Sequence, residues 1–360
     1  MKIGLVGLTQ TGKTTLFNLL TGQGEHAASG SKTASNSGVG FVPDPRIDFL
    51  HRLYKPKKTT YAQIEFTDVA GFSTMTEGQK SAAAKFLNDV RPCDALVHVL
   101  RAFESDEVIH EQETIDPARD LEQVETEILF SDLELVEKRI ERLKAGKKMT
   151  KENQEELERL ERCFAWLESG ASMRDMDISD EERTSMRNYA FLTEKPRLAV
   201  VNLDENQYKT KDYPHREELH SLCGKLNIPL VELCALMELE ISQLPEEDKA
   251  LFMEDLGLEQ PGIAVLAQAV YRHLGLISFL TAGEDEVRAW TISKGITARA
   301  AAGKIHSDIE RGFIRAEVVK LKDLTELGTM QKVKEKGLFR LEGKEYIVED
   351  GDIINFRFNV

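Results

Sequence analysis

The chain has 360 residues, 41% hydrophobic and 30% charged, with a formal net charge of −15. That length calls for two or three packed units, the composition is that of a soluble globular protein, and the acidic balance excludes a general nucleic-acid coat while allowing a local basic face. No apolar run approaches the roughly 18 residues of a membrane helix, no leader pattern precedes the first strand, and Cys93, Cys163, Cys223 and Cys234 lack CxxC spacing, so the expectation is a cytoplasmic protein with free thiols and no membrane association.

The first element is a short apolar strand, Ile3-Gly4-Leu5-Val6. It runs into Gly7-Leu8-Thr9-Gln10-Thr11-Gly12-Lys13-Thr14, and an apolar run at helical spacing follows from Thr15. Strand, GxxxxGK[ST] loop and helix is the context in which this pattern binds phosphate. The glycines let successive N–H groups turn inward, and the helix N-terminus adds partial positive charge. Gly7, Thr9, Gln10, Thr11, Gly12, Lys13, Thr14 and Thr15 are therefore the expected nucleotide-binding residues. Lys13 is expected on the β- and γ-phosphates and the Thr14 hydroxyl on Mg²⁺.

A polar Gly/Ser/Thr stretch from Gln23 to Phe41 fits a nucleotide-sensing switch, with Lys32, Thr33, Ser35 and Ser37 as contributors. A second strand then ends in Asp68-Val69-Ala70-Gly71. In switch NTPases such an Asp stands behind Mg²⁺ and such a Gly N–H faces the γ-phosphate. Asp68 is thus the second expected metal residue and Gly71 an expected catalytic one. Phe72 follows, where many Ras-like enzymes place a water-orienting Gln. In the third strand, Ala95–Leu100, His98 reads as a packed histidine. His110, in the polar stretch beyond it, is the more accessible candidate.

From Pro117 the pattern changes. Leu129, Leu133, Val136, Ile140 and Leu143, then Leu157, Leu160, Phe164 and Leu167, repeat at alternating three- and four-residue spacing around Ala145–Lys148. This predicts an antiparallel helical hairpin with a coiled-coil seam. Strands resume at Leu198–Val201, ending in Asn202-Leu203-Asp204-Glu205, and at Pro229–Leu233, ending in Cys234-Ala235-Leu236. Base recognition is expected in these two loops, at the C-terminal ends of parallel strands. The last 80 or so residues read as a separate α+β unit. Its strands are placed at Arg288–Ile292, Tyr346–Val348 and Ile353–Phe358, with a helix near Ala300–Arg311. Arg288, Lys294, Arg299, Lys304, Arg311, Arg315, Lys320 and Lys322 outnumber Asp308, Glu310 and Glu317, which favours an RNA-facing surface.

With these residues in place, the chain resembles the YchF-type Obg-like ATPases, a branch of the Obg-related translation-factor GTPases, over essentially its whole length. The resemblance rests on the phosphate loop, Asp68–Phe72, Val42-Pro43-Asp44-Pro45-Arg46, Asn202–Glu205, Ala302–Asp308 and Gly312–Ala316. It implies an α/β P-loop G domain (1–116 and 190–277), an inserted coiled-coil arm (117–189) and a C-terminal β-grasp TGS domain (278–360). It also implies association with the ribosome or its RNA and slow hydrolysis; a monomer is the expected oligomeric state. Phe72 matches the hydrophobic residue that the family carries in place of Gln, and His110 matches a histidine proposed to assist hydrolysis.

Ordinary GTPases read guanine with the Asp of Asn-Lys-x-Asp, whose carboxylate accepts from N1–H and the N2 amine. Adenine cannot make those bonds, each worth about 1.5–3 kcal/mol to a charged acceptor. Here Leu203 replaces the Lys and Glu205 the Asp, so guanine selectivity should weaken, and the resemblance implies ATP in preference to GTP. Asn202, Leu203, Glu205, Cys234, Ala235 and Leu236 are the expected base-side residues. Gln10 stands where the family usually has Asn, which weakens the expectation of K⁺ stimulation. Ser81-Ala82-Ala83-Ala84 replaces a glycine-rich run and favours helix. Two other readings stay open at this level: a GTP-specific GTPase, or a nucleotide-gated binding module with incidental hydrolysis.

Overall fold

The computed structural model describes residues 1–22, 36–71, 86–105, 112, 114–146 and 150–359. Lys32, Thr33, Ser35, Phe72, Ser81–Ala84 and His110 lie outside the described residues. The chain packs as two compact units: Met1–Gly38 with Glu65–Ile263, and Val39–Ile64 with Ala264–Val360.

One six-stranded sheet is formed by β1 (Lys2–Val6), β2 (Asn36–Val42), β4 (Ala62–Asp68), β5 (Ala95–Arg101), β6 (Arg197–Asn202) and β7 (Leu230–Leu233), in the order β2-β4-β1-β5-β6-β7, and belongs to the first unit except for residues 39–42 of β2 and 62–64 of β4. β1 pairs in parallel with both β4 and β5, and β6 in parallel with β5 and β7. Strands covered on both faces must be apolar nearly throughout, and every residue of β5 and β6 is buried. The loops at the C-terminal ends of β1, β4, β6 and β7 are those that carry the expected nucleotide residues.

The helical hairpin is present as α3 (Pro117–Lys144) and α4 (Lys151–Glu168); α1 and α2 are Lys13–Thr21 and Pro45–Tyr54. Asp116 caps α3 ahead of Pro117, and Thr150 caps α4. All nine seam residues named above fall in one apolar cluster with Met173, Met186 and Phe191. Across the seam, Arg139 forks onto Glu156 at 2.8 and 2.9 Å. At its base, the buried Asp132 carboxylate accepts from the Leu192 and Thr193 N–H groups (3.0 and 2.8 Å) and the Thr193 hydroxyl (2.8 Å). This contact fixes where the chain leaves the hairpin for β6.

His98 is fully buried, with Nε2 2.9 Å from Glu125 Oε1, and Arg197 pairs with the same carboxylate. The histidine is a packed strand residue, as the sequence predicts. All four cysteines are free and buried. No helix among the described residues is long and apolar enough to cross a membrane.

The second unit holds β3 (Lys58–Thr60), β8 (Leu276–Ala282), β9 (Glu286–Ser293), β10 (Phe313–Lys320), β11 (Arg340–Glu342) and β12 (Asp352–Phe358), ordered β11-β10-β12-β8-β9-β3. β8 and β9 form an antiparallel hairpin, and β12 lies parallel to β8 and antiparallel to β10. With the helix Ala298–Ile305 packed on the sheet through Ala298, Ala301 and Ala302, this is β-grasp connectivity.

Two expectations need correction here. Tyr346–Val348 forms no strand, only a bridge from Ile347 to Thr297. The neighbouring backbone bonds go instead to the 296–298 turn (Val348 N–H to Ile296, 3.1 Å; Ala298 N–H to Tyr346, 2.7 Å). The helix expected over 300–311 is two helices, broken at His306 in extended geometry, whose side chain accepts from the Asp308 N–H. The basic surplus is also smaller than its count: Lys320 is held by Asp352 and Glu349, Arg311 by Asp308, and Arg288 stacks 3.9 Å from the Trp290 ring.

Candidate nucleotide-binding site

The phosphate loop joins β1 to α1. Gly7 has φ 150°, and a Cβ there would collide with the Val99 carbonyl. Gly12 has φ 93°, and a Cβ there would collide with Asn202 Nδ2. Both positions require glycine, the second for two independent reasons. Gln10 also has positive φ, 59°, a left-handed conformation that Asn tolerates better than Gln. Thr11 is buried and its hydroxyl donates to the Leu8 carbonyl at 3.3 Å. The Lys13 ammonium donates to the same carbonyl.

The metal-side residues meet. The Thr14 hydroxyl donates to Asp68 Oδ2 at 2.8 Å. Burial pushes the Asp68 carboxyl above the usual Asp range, opposed by the Thr14 hydrogen bond and the Lys13 charge. Gly71 lies against the loop: a Cβ on it would come within 2.9 Å of Thr9 Cα and 3.1 Å of Thr9 N. The DxxG segment therefore touches the phosphate loop at both ends, Asp68 on Thr14 and Gly71 on Thr9. Ser37 is within hydrogen-bond distance of Thr67, 3.1 Å, one residue before Asp68.

The base-side loops are less uniform than expected. Asn202 is buried; its Nδ2 donates to the Thr11 carbonyl at 3.1 Å and its Oδ1 accepts from the Ala235 N–H at 3.0 Å. It braces the phosphate loop to the β7 loop and retains one amide proton for a ligand. Sequence reasoning missed this brace, because one loop is contacted from a residue 191 positions away. Leu203 does not line the site: at 2% exposure it packs in the core with Leu100, Val201 and Leu219. The Cys234 side chain is also buried, and burial raises its thiol pKa. Asp204 caps the short helix Glu205–Thr210, accepting from the Gln207 N–H at 2.9 Å. Glu205 points along that helix to Lys209, 2.6 Å away. Leu236, in contrast, is 66% exposed at the start of the helix Ala235–Gln243, a free apolar face for a flat ring. Two residues later Glu238 is buried and caps the helix Gly262–His273 through the Gly262 and Ile263 N–H groups (2.7 and 3.1 Å).

Comparison with known proteins adds a decisive observation. The chain is 40% identical to the protein named ribosome-binding ATPase YchF of Escherichia coli O157:H7, with 100% of this chain and 99% of that one aligned. It belongs to the YchF family. The Bacillus subtilis (strain 168) member, of the same name, is 41% identical over 99% of each chain. A solved structure, that of the Schizosaccharomyces pombe YchF GTPase, superposes with a TM-score of 0.86 at 31% identity, covering 99% of this chain and 97% of that one. A family model described as a 50S ribosome-binding GTPase matches residues 2–131. The YchF-GTPase C-terminal model, described as a protein of unknown function, matches 276–359. The first takes in β1 to β5 with the site on β1 and β4, and the second spans the β-grasp strands β8 to β12. The printed names divide between ATPase and GTPase, so the base-side loops of this YchF member carry the question of substrate.

Proposed function

We propose that this chain is a slow Mg²⁺-dependent ATP hydrolase, with GTP a poorer substrate, that serves as a cytoplasmic nucleotide switch on the ribosome. The observation that carries this reading is the Thr14–Asp68 pair beside Lys13. A hydroxyl and a carboxylate at a phosphate loop are an oxygen donor set suited to Mg²⁺, which would neutralise charge on the β- and γ-phosphates when bound. Thr14 would ligate the ion directly and Asp68 through water. Lys13 and the loop N–H groups hold the phosphates, and Gly71 places its N–H toward the γ-phosphate. His110 is the candidate to orient the attacking water in place of a Gln, since Phe72 cannot.

The preference for ATP follows from where the carboxylates go. Asp204 is spent on a helix cap and Glu205 on Lys209, so guanine N1–H and N2 would find no ready acceptor. Leu236 and the Cys234–Ala235 backbone are left to hold an adenine. Loss of each bond to a charged group is worth roughly ten- to a few hundred-fold in selectivity, and that is the discrimination this chain gives up.

Ribosome association is supported by the names of the full-length relatives. The arm at 117–189 and the β-grasp unit, read as a TGS domain, are the partner-facing parts, with the chain acting as a monomer. Hydrolysis measured with and without ribosomes, on the natural chain and on Lys13→Ala, tests the reading. Stimulated turnover that Lys13→Ala abolishes is expected; turnover indifferent to Lys13 contradicts it.

A further inference from the structure

The helix Ala235–Gln243 opens at the base-side loop, and its first turn is held from two directions. The Ala235 N–H donates to Asn202 Oδ1 at 3.0 Å. In the same turn Glu238 is buried, and its two carboxylate oxygens accept from the Gly262 N–H at 2.7 Å and the Ile263 N–H at 3.1 Å. All of these residues lie in the first unit. Leu236, on the same helix, is exposed. Two residues of a helix separate side chains by about 200° around its axis, so Leu236 faces outward as Glu238 faces inward.

The rest of the inward face is apolar: Met237 and Ile241 pack in one cluster with Cys234, Phe252 and Leu256. Apolar contacts tolerate small rotations, and Met adapts readily to them. Two charge-assisted bonds from one carboxylate fix the roll of the helix far more closely. The fit is tight, since a Cβ at Gly262 would come within 2.9 Å of Glu238 Oε1 and 3.2 Å of Leu233 Cβ, at the end of β7. A cap for the helix starting at Gly262 does not by itself call for this residue. A Ser, Thr, Asp or Asn just ahead of that helix would serve, yet Gln260 and Pro261 stand there. The acceptor comes instead from 24 positions away, at the cost of burying a carboxylate.

We propose that Glu238 is a positioning residue for the nucleotide base: by fixing the roll of Ala235–Gln243 it aims Leu236 at the ring, and so sets the base-dependent part of nucleotide affinity without acting on the phosphates. The inference rests on the proposed reading of Leu236 and the Cys234–Ala235 backbone as the base-side contacts. A residue with only a structural role would weaken every ligand of the site alike, whereas Glu238 should act only on ligands that carry a base.

The test titrates the full chain, in Mg²⁺, with a non-hydrolysable ATP analogue and with inorganic tripolyphosphate, which has no base. Glu238→Ala is expected to weaken the ATP analogue about tenfold while leaving tripolyphosphate within about twofold. Glu238→Gln keeps one acceptor oxygen and should lose less, about threefold, again for the ATP analogue alone. Gly262→Ala, whose methyl would press on the same carboxylate, should share that signature. If Glu238→Ala does not fold, the other two variants carry the comparison. An equal loss of both ligands reduces Glu238 to a structural cap, and unchanged binding of both means that other contacts hold the helix; either result overturns the proposal. If the natural chain binds the ATP analogue no more tightly than tripolyphosphate, the base-side reading itself fails, and the proposal with it.

Discussion

Asn202 accepts the Ala235 N–H at 3.0 Å while donating to the phosphate loop at Thr11. One carboxamide thereby sets the distance between the loop expected to hold phosphate and the loop expected to hold the base.

Removing that brace should act on binding more than on folding. Asn202→Ala leaves a buried N–H and a buried carbonyl without partners, a cost of about 2 kcal/mol in stability. Nucleotide affinity should fall about tenfold or more, since the two halves of the site are no longer held in register. Titration with an ATP analogue, alongside thermal unfolding, reads both effects. An unchanged affinity would mean that the loops are positioned by other contacts.

Gly12→Ala is the more severe change. The position has φ 93° and a Cβ would meet the Asn202 amide, so backbone strain and a clash coincide. The variant should fold, because the loop sits at the surface end of β1, but should lose nucleotide binding. Combining it with Asn202→Ala removes the clash while leaving the strain. The double variant should therefore lose less than the sum of the single losses.

The buried Glu125 gives the first unit an acid-sensitive element. Burial alone would raise its pKa, but the His98 imidazole and the Arg197 charge outweigh that and hold it below its ordinary value of 4.5. The folded state therefore binds this proton more weakly than the unfolded chain. Its stabilising contribution is complete above pH 4.5 and is lost as pH falls through the lower folded value. Glu125→Gln should flatten that part of the stability–pH curve. It should also destabilise at neutral pH by about 3 kcal/mol, because Arg197 is left buried without its counter-charge. Denaturant unfolding from pH 7 down to pH 3 measures both.

Asp132 is the corresponding joint for the arm. Three donors converge on one carboxylate, and Asp132→Ala strands all three in the interior, at a cost of about 3 kcal/mol. The hairpin seam itself is untouched, so helix content should persist while the unfolding midpoint drops. Circular dichroism through a urea titration distinguishes the two.

Much of this was legible in the chain because the signals are local. Gly7–Thr14 between a strand and a helix, Asp68–Gly71 after a strand, and the three-and-four spacing from Leu129 to Leu167 each describe one element and its face. What escaped depends on residues far apart in sequence. Leu203 is drawn inward by a core that includes Leu100 and Leu219. The packing of β3 with β9, more than 220 positions distant, has no local signature, so Val39–Ile64 read as an ordinary stretch of the G domain. Tyr346–Val348 had strand composition, but the turns at Gly343 and Asp350-Gly351 leave it no ladder to join.

The central claim is that the Asn202–Glu205 segment has given up guanine. Calorimetric titration of the nucleotide-free protein with non-hydrolysable ATP and GTP analogues, side by side in Mg²⁺, tests it most directly. The account predicts tighter binding of the ATP analogue, and weakened ATP binding in Leu236→Ser with stability unchanged. Tighter binding of the GTP analogue, abolished by Glu205→Ala, would mean that Glu205 leaves Lys209 to read the base, and would contradict the account.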